Sequence, residues 1–394
     1  MTLPIKWIWE DERYGSFPYN LVGVEDALRD IAYTKGKLDV LLSFLDQDTI
    51  DSIEVNNITK EIMDSSKIEG EYLRRESVRA SVAKVVQAKS DTKHSDATRQ
   101  TDALVELLID SRLNQEALTV ERLHSWHNAL FAHGRGEGVK SIDIAKFRTY
   151  DEMKVKEGAI GAEVTKYLAP PQKMLQEQID ALLNYIKTST QNPYVKSAIA
   201  HLWFVSIHPY DDGNGRISRA IADYVLSTDS KEIYKAYSIS SAIVAKRNGY
   251  YEMLDHTTNL HKNRDFKFTH WINWHTQTLQ KAMEKSIENI EFIIEKTKFW
   301  DKHRMDGLNQ RQIKVIEHFI TPENHEKPIS TKIYMEMTKT PKTTAVRDIK
   351  SLIKQGCIEN IKALEGRNIA YKLVLPKETN RSLKQRYDTT VIPS

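Results

Sequence analysis

The chain has 394 residues, a single cysteine and a formal net charge of +3 at pH 7. This length suggests two or three domains with ample material for a core, and the lone Cys357 excludes an intrachain disulfide and fits a reducing cytoplasm. No apolar run approaches the roughly 18 residues of a membrane helix, and the first residues lack an apolar signal region, so we expect a cytoplasmic protein with no membrane association.

Long amphipathic stretches with few glycines and few internal prolines predict a mainly α fold. The predicted organisation is a helical N-terminal domain at 1–109, a helical core with a small β-hairpin at 110–303, a further module at 304–376 and a flexible tail at 377–394. We expect no structural metal, because the histidines and the one cysteine do not form a set with zinc-site spacing.

The first informative element is a helix that carries Ile58 and Ile62 and ends at Gly70, a good C-terminal stop. Ser65 and Glu69 lie in its final turns. A carboxylate there is unfavourable with the helix dipole unless a cation meets it. Two interpretations follow, a plain surface helix end or a helix end that meets a cation from elsewhere in the fold.

Short alternating residues between 153 and 168, bounded by glycines, predict a β-hairpin. This hairpin would contain Val155, Lys156 and Gly158. On pattern alone, a plain surface hairpin and a functional one fit equally well.

Next, residues 193–207 are predicted to form a helix with Asn192 as its N-cap, and Pro209 ends it. A second helix is predicted to start near Arg216, because apolar residues then recur at helical spacing. The glycine-rich turn between the two helices would leave backbone N–H groups free to face an anion.

Arg216 and Arg219 lie three residues apart in the first turns of this second helix. Cations at a helix N-terminus oppose the dipole, so the pair indicates an anionic ligand. His208 could accept a proton near pH 7, and Asp212 could hold a divalent cation on phosphate oxygens. The simpler alternatives are a surface pair between Arg219 and Asp223 and a helix-capping His208.

The run from His208 to Arg219 reads His-Pro-Tyr-Asp-Asp-Gly-Asn-Gly-Arg-Ile-Ser-Arg. It resembles the signature of Fic-domain proteins, His-x-Phe-x-Asp/Glu-Gly-Asn-Gly-Arg-x-x-Arg, with Tyr210 in place of the usual Phe. The earlier Ser65-x-x-x-Glu69-Gly70 is similar to that family's inhibitory motif, placed N-terminal to the core.

This resemblance implies a protein adenylyltransferase that uses ATP and Mg²⁺ and modifies a Ser, Thr or Tyr hydroxyl of a target protein or of itself. His208 would deprotonate the hydroxyl, and Asp212 would hold Mg²⁺. Glu69 would pair with Arg219 and block the γ-phosphate position. Further roles would fall to Gly213, Asn214 and Gly215 as anion hole, to Arg216 and Arg219 in binding phosphate, to Tyr250 in lining the adenine pocket, and to the hairpin as a flap that aligns a target segment.

The last module reads as three short helices followed by two strands, an order that resembles a winged helix-turn-helix. Residues 331–394 contain 13 Lys/Arg and 6 Asp/Glu, a net charge of +7. Four basic residues of the last helix are candidate DNA contacts, Lys342, Arg347, Lys350 and Lys354. A solvated basic face and a protein-binding surface remain alternatives.

Three functions from different classes therefore stay open. The leading one is autoinhibited transfer of AMP from ATP. The second is a phosphodiesterase that removes AMP at the same site, with Glu69 positioning water. The third is a DNA-binding regulator with a nucleotide-sensing Fic core. The oligomeric state is open, with a homodimer among the options.

Overall fold

The computed structural model describes residues 7–86, 96–131, 142–157, 163–230, 236–361 and 369–376. Over these ranges the fold is mainly helical, as predicted, with one two-stranded and one three-stranded sheet. The chain divides into two compact units, residues 1–286 and 287–394. None of the helices described has an apolar stretch sufficient to cross a bilayer. The predicted flap residue Gly158 and the predicted tail at 377–394 lie outside the described residues.

The first unit contains the predicted N-terminal domain together with most of the predicted core. Its N-terminal half is built from five helices, α1 (Val22–Leu42), α2 (Gln47–Ile68), α3 (Arg75–Val86), α4 (Arg99–Leu113) and α5 (Val120–Leu130). A β-hairpin follows, β1 (Lys154–Glu157) and β2 (Val164–Leu168), and then α6 (Leu175–Thr188), α7 (Pro193–Ile207), α8 (Asn214–Ser230), α9 (Ile239–Val244) and α10 (Arg247–Thr258). The long α11 (Thr269–His303) starts in this unit and ends in the second.

Helix α7 is the central element of the first unit. It is apolar around most of its circumference, and nearly all of its side chains are buried. Asn192 caps it by accepting a hydrogen bond from the Tyr194 backbone N–H at 3.0 Å. Helix α8 packs beside it through buried residues such as Ile217 and Ile221. The two helices are joined by residues 208–213, which therefore lie at the end that α7 and α8 share.

In the residues that the structure describes, the second unit contains the end of α11, three further helices and a small antiparallel sheet. The elements are α12 (Gln310–Phe319), β3 (Ile329–Ser330), α13 (Thr331–Thr338), α14 (Lys342–Lys354), β4 (Ile358–Asn360) and β5 (Ala370–Leu373). The strand order is β3-β5-β4, so the middle strand comes last in the chain. Apolar residues of all three helices and of the strands form the core of this unit.

Cys357 is fully buried in that core, as expected for a packing residue. Its Sγ lies 3.5 Å from Nδ1 of His303, and the same nitrogen lies 2.5 Å from the Asp306 carboxylate. Among the described residues, these three form the one group of metal-ligand side chains within 4.8 Å of each other. The expectation of no structural metal stays a prediction.

Candidate active site

The loop between α7 and α8 is held in shape by its own residues. The side chain of Asn214 accepts a hydrogen bond from the Tyr210 N–H at 3.0 Å and donates one to the Tyr210 carbonyl at 2.7 Å. Gly213 has a φ of +81°, in the left-handed region that favours glycine. His208 also has a left-handed backbone, with a φ of 50°, as the C-terminal cap of α7. The histidine, the aspartate and the two arginines are thus fixed around one short turn.

The hydrogen bonding of His208 determines which ring nitrogen is free. Its Nδ1 lies 3.1 Å from the Val205 carbonyl, which can only accept, so Nδ1 carries the hydrogen. In the neutral ring, Nε2 then holds the lone pair. Burial lowers the pKa of His208 below its ordinary value of 6.5. The imidazole is therefore neutral at pH 7 and equipped to take a proton at Nε2.

Arg148 supports the backbone of this histidine. Its Nε donates to the His208 carbonyl at 3.0 Å, and its Nη1 donates to the Tyr150 carbonyl at 2.7 Å. Its Nη2 donates to the Pro170 carbonyl, and its backbone N–H donates to the Pro209 carbonyl at 2.9 Å. The side chain is 1% exposed. One buried guanidinium thus joins the loop between α7 and α8 to both ends of the hairpin segment, and no sequence pattern indicated this role.

Two histidines of α5 surround the ring of Tyr210, which is fully buried. His124 Nδ1 lies 2.9 Å from the tyrosine hydroxyl, and His127 stacks on the ring at 4.1 Å between centroids. His127 accepts from the Ala145 N–H at 2.9 Å through Nδ1, so its Nε2 carries the hydrogen donated to the Asp212 carbonyl at 3.2 Å. Tyr210 therefore has the hydroxyl partner that its departure from the Fic signature requires.

The Glu69 carboxylate at the end of α2 pairs with a cation, Arg219, which offsets its unfavourable position at a helix C-terminus. Arg219 Nη2 lies 2.8 Å from Oε1 of Glu69 and 2.9 Å from the Ser65 carbonyl, and its Nε lies 3.0 Å from the Ser65 hydroxyl. Arg219 is 1% exposed. The alternative pairing of Arg219 with Asp223 is not present, because Asp223 pairs instead with Arg112 at 2.7 Å.

Glu69 also fills the space above the glycine-rich turn. A Cβ placed on Gly215 would clash with the Glu69 carboxylate. Only a glycine lets an anion approach the backbone this closely. A carboxylate supplied by the end of α2 therefore lies directly against Gly215 at the start of α8, where the sequence predicts an anion hole.

The C-terminal turn of α2 is held by α10. The Ile68 carbonyl accepts from Arg247 Nε at 2.7 Å and from the Tyr251 hydroxyl at 3.1 Å. Gly70 has a φ of +86°, which lets the chain reverse direction directly after Glu69.

The other signature arginine is also engaged. Arg216 Nη1 lies 2.7 Å from Oε2 of Glu71, a residue for which the sequence analysis found no role. Asp212 is more open: its side chain is 56% exposed and lies 3.8 Å from Arg216. An exposed carboxylate beside an anion cradle is a suitable ligand for Mg²⁺ on a phosphate. The residues present thus fit both a magnesium ion and a nucleotide phosphate.

Comparison with known families accounts for this arrangement. Residues 117–226 match the model of the Fic/DOC family, and this range includes the whole run from His208 to Arg219. The chain carries a Fic domain. Residues 7–87, which include α2 and its terminal Glu69, match a domain of unknown function (DUF4172).

Solved structures of Fic proteins are similar to this chain. A Fic family protein from Desulfovibrio desulfuricans G20 aligns over 92% of this chain and 99% of its own, with 16% identity and a TM-score of 0.52. A Fic domain containing signaling protein from Bacteroides thetaiotaomicron VPI-5482 aligns over 66% and 95%, with 16% identity and a TM-score of 0.49. Fic-1 from C. elegans aligns over 68% and 73%, with 16% identity and a TM-score of 0.45. At this identity, the first similarity shows a shared fold.

The hairpin of β1 and β2 is anchored at its base. Val155 pairs with Tyr167 across the two strands, and the register shifts between Val155 and Lys156. The Tyr167 hydroxyl donates to the Ser206 carbonyl of α7 at 2.8 Å, and Trp9 Nε1 donates to the Leu168 carbonyl at 2.6 Å. Its use as a flap for a target segment stays a prediction.

Tyr250, the predicted lining residue of the adenine pocket, is a buried residue of α10. It is 2% exposed, its hydroxyl lies 3.1 Å from His201 Nε2, and its ring stacks with Trp274 at 5.5 Å. Its assignment to the pocket lining stays a prediction. The neighbouring Tyr251 is 37% exposed and lies beside Arg247.

The four candidate DNA contacts lie on α14 in the second unit. Lys342, Arg347, Lys350 and Lys354 are all exposed. The opposite face of α14 is buried through Ala345, Ile349 and Leu352. The four cations thus share the solvent face of one helix, as a phosphate-binding helix requires.

Proposed function

We propose that this chain is an autoinhibited protein adenylyltransferase, which transfers AMP from ATP to a Ser, Thr or Tyr hydroxyl of a target protein or of itself. The observation that carries the proposal is the contact of Glu69 with Arg219 and Gly215 at the start of α8. A carboxylate in an anion cradle competes with a phosphate for the same donors.

The chemistry assigned to the residues is a phosphoryl-group transfer in which His208 is the base. Its free Nε2 takes the proton of the incoming hydroxyl, whose oxygen bonds to the α-phosphorus while the bond to the pyrophosphate oxygen breaks. Backbone N–H groups at the start of α8, with Arg216, would stabilise the charge on the phosphate. Asp212 would hold Mg²⁺, which supplies charge neutralisation on the phosphates.

The test compares Glu69→Gly with Glu69→Gly/His208→Ala, using α-labelled ATP, Mg²⁺ and a cell lysate. We expect label on protein from the first variant only. Glu76→Gly is the matched control, because Glu76 is an exposed glutamate at the start of α3, and it should behave as wild type. Normal ATP binding by Glu69→Gly without any protein labelling would refute AMP transfer.

The same pair of variants separates transfer from the reverse reaction. A phosphodiesterase in which Glu69 positions water would lose hydrolysis of AMP-modified protein in Glu69→Gly. An adenylyltransferase gains labelling in that variant. The two functions thus predict opposite responses to one substitution.

A second proposed function, duplex DNA binding by the second unit, is favoured by the basic face of α14. The sheet order β3-β5-β4 supports the winged helix-turn-helix assignment of this unit. Binding should weaken with salt, and Arg347→Ala/Lys350→Ala should reduce the slope of log affinity against log salt by about 2. Lys327→Ala, a change at an exposed loop lysine, is the control. Equal slopes for the double variant and wild type would show that the basic face of α14 does not bind DNA.

A further inference from the structure

Glu71 has both carboxylate oxygens engaged. Oε2 accepts from Arg216 Nη1 at 2.7 Å, and Oε1 accepts from Gln100 Nε2 at 2.8 Å. The side chain of Arg216 is 9% exposed and that of Glu71 is 31% exposed. Arg216 is therefore shielded from water, and this shielding strengthens its charge-assisted hydrogen bond with Glu71.

The turn after α2 brings Glu69 and Glu71 to the same helix. The Ser66 carbonyl accepts from the backbone N–H of Glu69 at 3.1 Å and of Glu71 at 3.0 Å. The left-handed Gly70 between them reverses the chain. As a result, the two carboxylates meet two different arginines in the first turns of α8.

We propose that Glu71 is a second inhibitory residue, which occupies Arg216 as Glu69 occupies Arg219. This inference rests on the proposed function, because it assigns Arg216 to nucleotide phosphate. As a consequence, neither Arg216 nor Arg219 is available to a nucleotide phosphate in the resting protein. A nucleoside diphosphate, which lacks a γ-phosphate, is then bound more weakly, as ATP is.

Arg216 keeps hydrogen-bonding capacity for a ligand. Its buried Nε has no hydrogen-bond partner among the residues that the structure describes. Its guanidinium lies 5.4 Å from the centre of the Phe131 ring and 3.8 Å from the Asp212 carboxylate. A phosphate that displaces Glu71 would meet an arginine already positioned by these contacts, and Nε would gain an acceptor.

The test measures binding of ADP with Mg²⁺ by calorimetry. Glu71→Gln keeps the size of the side chain and removes its charge, and we expect ADP to bind about tenfold more tightly than to wild type. The same gain is expected when Glu71→Gln is added to Glu69→Gly. Glu76→Gln is the matched control and should leave ADP affinity unchanged.

Gln100→Ala is a second variant, which keeps the Glu71 charge but removes one of its two partners. It should tighten ADP binding by a smaller factor than Glu71→Gln does. A structural role for the ion pair would instead lower the melting temperature and leave ADP affinity at the wild-type level in both variants. That result would overturn the inference.

The two proposals can fail separately. If Glu69→Gly labels protein but Glu71→Gln leaves ADP affinity unchanged in both backgrounds, AMP transfer stands and the role of Glu71 falls. If Glu69→Gly/Glu71→Gln binds ADP more tightly but never labels protein, the role of Glu71 in excluding phosphate stands and AMP transfer falls.

Discussion

Replacing Arg148 should impair His208, the proposed base, without changing the residues proposed to bind the nucleotide. The informative variant is Arg148→Met in the Glu69→Gly background, since methionine fills a similar space without donors. Three carbonyls, those of His208, Tyr150 and Pro170, would lose their hydrogen bonds to a buried cation. Each such bond contributes about 1.5–3 kcal/mol, and the desolvation of the guanidinium offsets part of the sum. We expect the free energy of unfolding to fall by about 3 kcal/mol.

The rate of AMP transfer should fall by about 10- to 100-fold, because displacement of a catalytic group by about 1 Å can cost that much. A second readout separates positioning from stability. The positive charge of Arg148 helps to lower the pKa of His208. Its removal raises that pKa, and the acid limb of the pH–rate profile should move to higher pH, since the base must be neutral.

The assay is initial labelling rate between pH 5 and 8, at a temperature where urea titration shows the variant folded. Arg29→Met is the control, because Arg29 is an exposed arginine of α1. A labelling rate equal to that of Glu69→Gly together with an unmoved acid limb would show that Arg148 does not position His208.

Three further predictions concern buried polar groups of the first unit. Burial lowers the pKa of His275 to about 3, so its imidazole stays neutral in the folded state, whereas in the unfolded chain it binds a proton below about pH 6.5. At pH 5 this lowers the free energy of unfolding by about 2 kcal/mol relative to pH 7.5. In urea titrations, His275→Phe should lose about 2 kcal/mol less than wild type between pH 7.5 and pH 5, and an equal loss in both proteins would contradict the prediction. Tyr210→Phe should cost about 1 kcal/mol, measured by thermal unfolding, because His124 loses its partner; no loss would mean that water replaces the hydroxyl. Arg112→Leu should lower the free energy of unfolding by about 3–5 kcal/mol in the same assay, because the buried carboxylates of Glu61 and Asp223 lose their cation. A stability near that of wild type would mean that both carboxylates are protonated.

Local signals made α7 and the catalytic loop predictable from the sequence. The helix was predicted at 193–207 and runs from Pro193 to Ile207, because Asn192 and Pro209 determine its ends. Helix α8 starts at Asn214, two residues before the predicted Arg216, because the Asn214 side chain bonds back to the loop. The Fic signature is contiguous, so its residues had to lie close together in any fold.

Residues that act through tertiary contacts could not be predicted in this way. Arg148 is 60 residues from the carbonyl that it supports, and Glu71 is 145 residues from Arg216. Neither belongs to a local pattern. Tyr250 and Tyr251 are adjacent helix positions, which point about 100° apart, and the sequence does not determine which of the two faces the core.

The docking of α2 bears on how the proposed inhibition would be relieved. Glu61, two turns before Glu69, is 3% exposed and accepts from the Ser238 hydroxyl at 2.7 Å and from the Ser240 N–H at 3.2 Å. Its carboxylate also faces Arg112. Undocking the whole helix would leave these groups without partners, at a cost of several kcal/mol. Rotation of the Glu69 side chain and of the turn at Gly70 breaks the contacts that compete with phosphate and the hydrogen bond between Glu71 and Gln100, and it leaves the buried Glu61 with its partners. The less costly route to an open phosphate site is therefore movement of Glu69 and of the turn at Gly70, while the Ile68 carbonyl keeps its hydrogen bonds to α10.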